Sequence, residues 1–193
     1  MTDNNNLQYP SWEHDPVVHG YWVIPGRLLA GEYPNSTDLD RAPRKRQALL
    51  DAGVTSIVDL TELREPNLSG VRLEPYKDLL MAQAKDRGIK VKYARFAIPD
   101  NSVIHDEGYD DILAHIQSEL DAGEVIYAHC YGGKGRTGTL VGCWLIDNEG
   151  LDYDGAISRL IELRRGSRKA DHSVPDSRVQ HDVLRRRAQR REA

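Results

Sequence analysis

The segment around position 130 restricts the fold of this chain more than any other. A short apolar run, Val125 to Ala128, leads into a loop with four glycines at 129–138, and an apolar stretch then continues to Glu149. A short apolar run before glycines is typical of a buried strand, and the longer stretch is typical of a helix. The pattern therefore predicts a strand, a tight loop and a helix in direct succession.

Further short apolar runs alternate with helical patterns along the chain. Such alternation favours an α/β fold, here a central, mainly parallel sheet of four to five strands flanked by helices. Ligands of such sheets bind beyond the carboxyl ends of the strands, which is where the loop at 129–138 lies. We predict strands at 21–24, 27–31, 54–60, 89–96 and 125–128, and helices at 43–52, 74–87, 106–122 with Asp106 as its cap, from Asp152, and from about Pro175.

Composition excludes several classes of protein. The 193 residues carry 26 basic and 30 acidic side chains, a net charge of −4, which gives no general attraction to nucleic acid or anionic membranes. No stretch approaches the roughly 20 apolar residues of a membrane helix, and the polar start predicts a cytoplasmic protein. With only Cys130 and Cys143, a disulfide scaffold is excluded.

The loop at 129–138 combines four features suited to one kind of chemistry. Cys130 ends the predicted strand, and the glycines allow backbone amides to turn inward around an anion. The following helix directs its positive N-terminus at the loop, and Arg136 offers a planar fork for two phosphate oxygens. The same positive field stabilises a reactive thiolate and the charge that develops in phosphoryl transfer, so no metal ion or cofactor is needed.

The motif His-Cys-x-x-Gly-x-x-Arg-Thr resembles the cysteine-dependent protein tyrosine and dual-specificity phosphatases, in their compact single-domain form. The likeness extends over residues 20–185 and implies the fold of those phosphatases, with residues 1–20 as an N-terminal arm, 21–185 as the catalytic domain and 186–193 as a basic tail. It also implies phosphate binding by the loop. The implied catalytic residues are Cys130, Arg136, Thr137 and His129, and the implied substrate-binding residues are Tyr131, Gly132, Gly133, Lys134, Gly135 and Arg136.

The resemblance assigns a role to each catalytic residue. Cys130 would form a phosphocysteine, Arg136 would clamp the phosphoryl group, Thr137 would donate a hydrogen bond to the sulfur, and His129 would hold the loop. A general acid is also needed to protonate the leaving oxygen. Asp100, 30 positions before the cysteine in Ile98-Pro99-Asp100, resembles the family's acid loop with Ile in place of Trp; Asp106 is the competing candidate.

Other residues allow two interpretations each. Lys134 either adds general positive potential or resembles the loop lysine of phosphoinositide phosphatases, which would imply inositol or lipid phosphates; the second lysine of that loop is Tyr131 here. Gln180 either positions water for hydrolysis or is an ordinary polar residue of the last helix. The basic end of the chain is either a solvated helix end or a docking patch. Glu62 and Arg64 either shape access of the substrate or, as we expect, form a surface pair.

The sequence thus predicts a metal-independent phosphomonoester hydrolase whose substrate is a phosphorylated protein or a small phosphorylated molecule. A Walker A loop is excluded because Gly135 follows Lys134. A rhodanese-type sulfurtransferase would have a different loop, and the low-molecular-weight tyrosine phosphatases place theirs near the N-terminus. The alternative of another class is a non-catalytic module that binds phosphorylated ligands. Cys143 is expected in the core, too far along the helix to pair with Cys130.

Overall fold

The structure is a computed structural model that describes residues 11–67 and 69–192. This part of the chain forms five strands and six helices, which alternate from the second strand to the fourth helix. The strands are β1 (Gly20–Ile24), β2 (Leu28–Gly31), β3 (Ser56–Asp59), β4 (Lys92–Arg95) and β5 (Ile126–His129). The helices are α1 (Arg41–Asp51), α2 (Lys77–Asp86), α3 (Asp106–Asp121), α4 (Gly135–Glu149), α5 (Tyr153–Leu163) and α6 (Arg178–Glu192).

The five strands form one sheet in the order β1-β2-β5-β3-β4. Only the β1–β2 pair is antiparallel; β2–β5, β5–β3 and β3–β4 are parallel. The prediction of a mainly parallel five-stranded sheet is therefore confirmed. Strand β5 lies at the centre, with Ala128 opposite both Ala30 and Val58. The loop that follows β5 accordingly leaves the sheet between the carboxyl ends of two neighbouring strands.

The sheet separates two apolar cores, because the side chains of each strand alternate between its faces. In β5, Ile126 and Ala128 pack on one face, while Tyr127 packs on the other. Helices α3 to α6 cover the first face, and α1 and α2 cover the second. The predicted apolar stripe of α3 is buried along its whole length: Tyr109, Ile112, Leu113, Ile116 and Leu120.

Two details of the predicted helices need correction. Asp106 does not cap α3, because the N-cap residue is His105 and Asp106 is already in the first turn, where its charge suits the helix dipole. The last helix begins at Arg178 rather than near Pro175. The prediction for α5 is confirmed, since the side chain of Asp152 accepts a hydrogen bond from the amide of Gly155 at 2.7 Å.

Both predicted end segments reach into packed structure. Residues 1–10 of the predicted arm lie outside the described residues, but Trp12 is buried and its indole donates to the carbonyl of Val18 at 2.7 Å. The predicted boundary at residue 185 falls inside α6, where Arg187 and Ala188 are buried. Within the described residues, no helix is long and apolar enough to cross a membrane.

Candidate active site

The loop after β5 opens into a cavity of about 510 Å³. Cys130 lies at the carboxyl edge of the sheet with only 3% of its surface exposed, and α4 begins five residues later at Gly135. The cavity gathers the predicted acid and most of the predicted loop. Its lining includes Asp100, Cys130, Tyr131, Gly132, Lys134, Gly135 and Arg136.

Gly133 fixes the shape of the loop. Its φ of +73° lies in the left-handed region, and a Cβ there would stand 2.7 Å from the carbonyl carbon of Gly31 at the end of β2. The loop is further tied to this segment by the amide of Tyr33, which donates to the carbonyl of Tyr131 at 2.9 Å. Only glycine allows this close backbone approach. Gly133 was predicted to bind substrate, but it is not among the residues that line the cavity and instead shapes the loop against Gly31.

Arg136 is buried in the first turn of α4 and is held by two carboxylates. Its terminal nitrogens donate to the two oxygens of Glu65 at 2.7 Å each, and one of them also contacts Asp100 at 2.9 Å. These partners raise the pKa of Arg136 against the opposing effect of burial, so its charge is secure. Its Nε is a buried donor with no partner in the part of the chain that the structure describes. A buried donor without a partner carries a desolvation cost, which an acceptor supplied by a ligand would offset.

Glu65 is a site residue that the sequence analysis missed. It follows β3, whose carboxyl end neighbours that of β5, and its side chain is 3% exposed. The neighbouring Glu62 and Arg64, which the sequence predicts to be a surface pair, are both exposed. The available signal was its position, because a carboxylate just beyond a strand that neighbours the loop lies near the Arg136 fork.

Asp100 lies where a general acid for this site is expected. It is 41% exposed in the segment after β4, faces the cavity, and pairs with Arg136. The competing candidate, Asp106, is turned away on α3 and pairs with Arg186 at 3.0 Å. The structure thus brings Asp100, but not Asp106, together with Cys130 and Arg136.

His129 supports the loop from behind. The side chain is fully buried, and its Nδ1–H donates to the carbonyl of Cys130 at 3.1 Å while the hydroxyl of Tyr76 donates to Nε2 at 2.5 Å. Burial lowers the pKa of His129, so the ring is neutral and both nitrogens are engaged. This arrangement suits the predicted positioning role rather than proton transfer.

Thr137 and Gln180 complete the surroundings of the loop. The Thr137 hydroxyl is buried and donates to the carbonyl of Gly31 over a long 3.5 Å; its bond to the sulfur stays a prediction. Gln180 is 1% exposed, lines the cavity, and accepts hydrogen bonds from the amides of Asp176 and Ser177. Gln180 thus lies at the cavity in a fixed position, and its role in positioning water stays a prediction.

The second cysteine has a different environment. Cys143 is wholly buried in the core, and burial raises its pKa to about 12. Both cysteines are free thiols. The predictions of a core position and of no Cys130–Cys143 bridge are confirmed, and the high pKa keeps Cys143 protonated and unreactive.

A family model described as "Swiss Army Knife protein, DSP-PTPase phosphatase domain" matches residues 19–188. The chain is also similar to mouse Protein tyrosine phosphatase domain-containing protein 1, at 26% identity over 72% of this chain and 18% of that protein. Putative tyrosine phosphatase 067L of Invertebrate iridescent virus 3 is 29% identical over 64% of this chain and 44% of its own length. The chain therefore spans less than half the length of either relative.

Solved structures share the fold. Tk-PTP in its active form is 25% identical with a TM-score of 0.63, and the match covers 89% of this chain and 97% of that one. PTPMT1 in complex with PI(5)P is 18% identical with a TM-score of 0.63, over 89% and 96% of the two chains. TpbA of P. aeruginosa is 19% identical with a TM-score of 0.55, over 90% and 92%.

The chain belongs to the dual-specificity and tyrosine phosphatase family, because the family model matches most of its length. The compact, mainly parallel architecture expected from the resemblance is that of these phosphatases.

Proposed function

We propose that this protein hydrolyses phosphate monoesters through a phosphocysteine formed on Cys130, without a metal ion. One observation carries the proposal. Arg136 lines the same cavity as Cys130 and Asp100, is held by Glu65 through both terminal nitrogens, and has a buried Nε donor without a partner among the described residues. A fixed cation beside a cysteine in an amide-lined loop is an arrangement suited to binding and transferring a phosphoryl group.

The first chemical step breaks the ester. The substrate phosphate binds to the loop amides and Arg136, and the Cys130 thiolate attacks phosphorus. The bond between phosphorus and the leaving oxygen breaks as Asp100 gives that oxygen a proton. In the structure Asp100 contacts a terminal nitrogen of Arg136, and an incoming phosphate competes for that nitrogen. Its arrival would therefore release the Asp100 carboxyl group for proton transfer.

The second step restores the enzyme. Water attacks the phosphocysteine, its proton passes to Asp100, and the sulfur–phosphorus bond breaks to give inorganic phosphate and the thiolate. Thr137 would stabilise the departing thiolate, and Gln180 would position the water from its fixed place at the cavity. His129 acts as a positioning residue through its hydrogen bond to the Cys130 carbonyl.

The substrate is a phosphorylated protein or a small phosphorylated molecule, and the proposed location is the cytoplasm. Two free thiols suit a reducing compartment.

The decisive experiment is hydrolysis of para-nitrophenyl phosphate by the wild type, Cys130→Ser and Cys143→Ala. We expect turnover in the wild type, its loss in Cys130→Ser, and its retention in Cys143→Ala, which changes the other cysteine in the core. If the folded wild type binds a phosphopeptide but does not turn over this ester, the protein is a binding module and the proposal is wrong.

A further inference from the structure

A second group of cations lies beside the phosphate loop, and the reaction does not use it. Lys45 of α1 and Lys169 each donate to a carboxylate oxygen of Glu32 at 2.8 Å, and Arg168 does so at 3.1 Å. We call these three cations and Glu32 the Glu32 cluster. Two of its members come from the loop before α6 and two from the segments around β2 and α1, so only the fold assembles it.

The Glu32 cluster has an excess of positive charge. Glu32 is 7% exposed, and its contacts with Lys45 and Lys169 lower its pKa to about 2, so it carries one negative charge against three positive ones. Arg41 lines the same cavity and donates to the carbonyl of Val17, with no carboxylate partner among the described residues. Unbalanced charge that is partly removed from water is costly unless an anion completes it.

Donors remain available in the Glu32 cluster. An ammonium group has three N–H donors. Lys45 uses two of them, on Glu32 and the Tyr33 carbonyl, and Lys169 uses two, on Glu32 and the Gly132 carbonyl. The Arg168 side chain directs one terminal nitrogen to Glu32 and is 37% exposed. Each of the three cations can therefore donate to a further acceptor.

The Glu32 cluster is joined to the phosphate loop. The hydrogen bond from Lys169 to the Gly132 carbonyl is 2.8 Å long, and Gly132 is two residues from Cys130. Residues Glu32, Lys45, Arg168 and Lys169 line the same cavity as Cys130 and Arg136. A ligand whose phosphate lies at Cys130 thus has a second positively charged wall within the same enclosure.

We propose that the Glu32 cluster is a second phosphate-binding subsite, and that the substrate is a compact polyol carrying at least two phosphate groups. This inference rests on the proposed function and names its substrate class. One phosphate binds at Cys130 and Arg136, while another accepts hydrogen bonds from Lys45, Arg168 and Lys169. The same chemistry is present in a free inositol polyphosphate and in a phosphoinositide headgroup.

The burial of the Glu32 cluster favours a small ligand over a peptide. The side chains of Lys45 and Glu32 are 8% and 9% exposed, so their charge is reached only from inside the cavity. A cavity of about 510 Å³ falls within the range of roughly 300–1,000 Å³ typical of small-molecule sites. A second phosphate on a peptide would follow an extended chain across the rim instead.

The test compares substrates that differ in phosphate number. Phosphate release by the full chain is measured for inositol hexakisphosphate, inositol monophosphate and para-nitrophenyl phosphate. Two further arms are phosphatidylinositol bisphosphate in phosphatidylcholine vesicles and a doubly phosphorylated peptide. We expect kcat/KM for inositol hexakisphosphate to exceed that for the monophosphate by about tenfold or more, the effect of one added charge-assisted hydrogen bond.

Arg168→Gln should reduce this preference about tenfold, because it removes a cation of the subsite that does not contact the loop. Arg190→Gln is the matched control, since it removes the same charge from α6, outside the cavity, and should keep the preference. Circular dichroism checks folding, and Arg168→Met, which removes the same charge, replaces Arg168→Gln if that variant does not fold. A preference for the vesicle over the free polyol also supports the subsite and assigns the lipid as its source.

The inference is overturned if the wild type shows no preference for the polyphosphate, if Arg168→Gln keeps the preference, or if the doubly phosphorylated peptide is the best substrate. Failure of the proposed function would appear separately, as no turnover of para-nitrophenyl phosphate. In that case, calorimetric binding of inositol hexakisphosphate to Cys130→Ser, with and without Arg168→Gln, still tests the subsite: equal affinity of the two proteins contradicts it.

Discussion

Arg136 and Arg187 are both buried arginines held by two carboxylates, yet their surroundings differ in one respect. Arg187 on α6 donates through Nε and a terminal nitrogen to Asp147, at 2.9 and 2.5 Å, and contacts Asp110 at 2.8 Å. Arg136 directs its terminal nitrogens at Glu65 and Asp100 and leaves Nε unpartnered among the described residues. Arg187 therefore joins helices, whereas Arg136 is positioned with a donor in reserve for a ligand.

The same difference separates the two basic regions of the molecule. On α6, Arg186 and Arg190 pair with Asp106 of α3, and Arg187 with Asp110 and Asp147. At the cavity, three cations share Glu32. In these two regions, the arginines of α6 that carboxylates already match serve packing, while the excess positive charge of the Glu32 cluster indicates an anionic ligand. The docking-patch interpretation of the basic end loses its support, because those arginines already have intramolecular partners.

Replacing each of these two buried arginines by lysine should distinguish their roles most clearly. Arg136→Lys keeps the charge but loses the planar fork, so we expect kcat/KM for para-nitrophenyl phosphate to fall about a thousandfold. Arg187→Lys should leave kcat/KM nearly unchanged and lower the free energy of unfolding. Steady-state kinetics and urea titration measure the two effects. Comparable activity of the two variants would contradict the assignment of Arg136.

Asp100→Asn should have the next largest effect. Loss of the general acid should lower kcat for an ester with a poor leaving group about a hundredfold. The loss should be smaller for para-nitrophenyl phosphate, because its leaving oxygen needs little protonation. Asp106→Asn, on the competing carboxylate, is the matched control. If Asp100→Asn keeps the wild-type kcat for the ester with a poor leaving group, another group protonates the leaving oxygen.

Removing the carboxylate that holds each arginine gives a smaller change. Glu65→Gln should lower kcat/KM about tenfold, because the Arg136 guanidinium loses the carboxylate that positions it. It should also cost about 3 kcal/mol of unfolding free energy, because a buried ion pair loses one partner. Asp147 is 37% exposed, so solvent screening limits the cost of Asp147→Asn to about 1 kcal/mol, without loss of activity. An equal effect of both variants on kcat/KM would contradict the view that Arg136 acts in the site while Arg187 only joins helices.

The smallest effect is expected at the surface of α6. Arg186→Gln combined with Arg190→Gln removes two exposed cations that carboxylates already match. The kcat/KM for inositol hexakisphosphate should therefore change less than about twofold. The variant for comparison is Arg168→Gln, which removes a single cation at the cavity and should lower the same kcat/KM about tenfold. A larger loss of activity in the α6 double variant would mean that the electrostatic field of Arg186 and Arg190 reaches the active-site cavity.

How far the sequence predicts this molecule depends on the range of each signal. The loop at 129–138 was predictable because its cysteine, glycines and arginine lie within ten residues, between a recognisable strand and helix. The stripe of α3 and the cap at Asp152 were equally local. Glu65 is 71 residues from Arg136, and Glu32 is 137 from Lys169. Those contacts arise only when the sheet order places β2 and β3 on either side of β5.

Local rules also failed where tertiary contacts compete with them. Asp106 has the residue type of a cap, but it lies in the first turn of α3 and pairs with Arg186 and Arg190 of α6. The basic end of the chain was predicted to be a tail for the same reason. The acidic partners of Arg186 and Arg190 lie 80 residues earlier in the sequence, where a local pattern does not detect them. Sequence patterns thus identify interactions between residues that are close in the sequence, but they do not identify partners that only the tertiary fold brings together.

The central claim is that Cys130 carries the phosphoryl group between the two steps. The direct measurement is mass spectrometry of Thr137→Ala quenched during turnover of para-nitrophenyl phosphate, because loss of the hydroxyl should slow release of the thiolate and let the intermediate accumulate. We predict one added phosphoryl group, located on the peptide that contains Cys130 and absent in the double variant with Cys130→Ser. A phosphoryl group on any other residue, or turnover that survives in that double variant, would contradict the account.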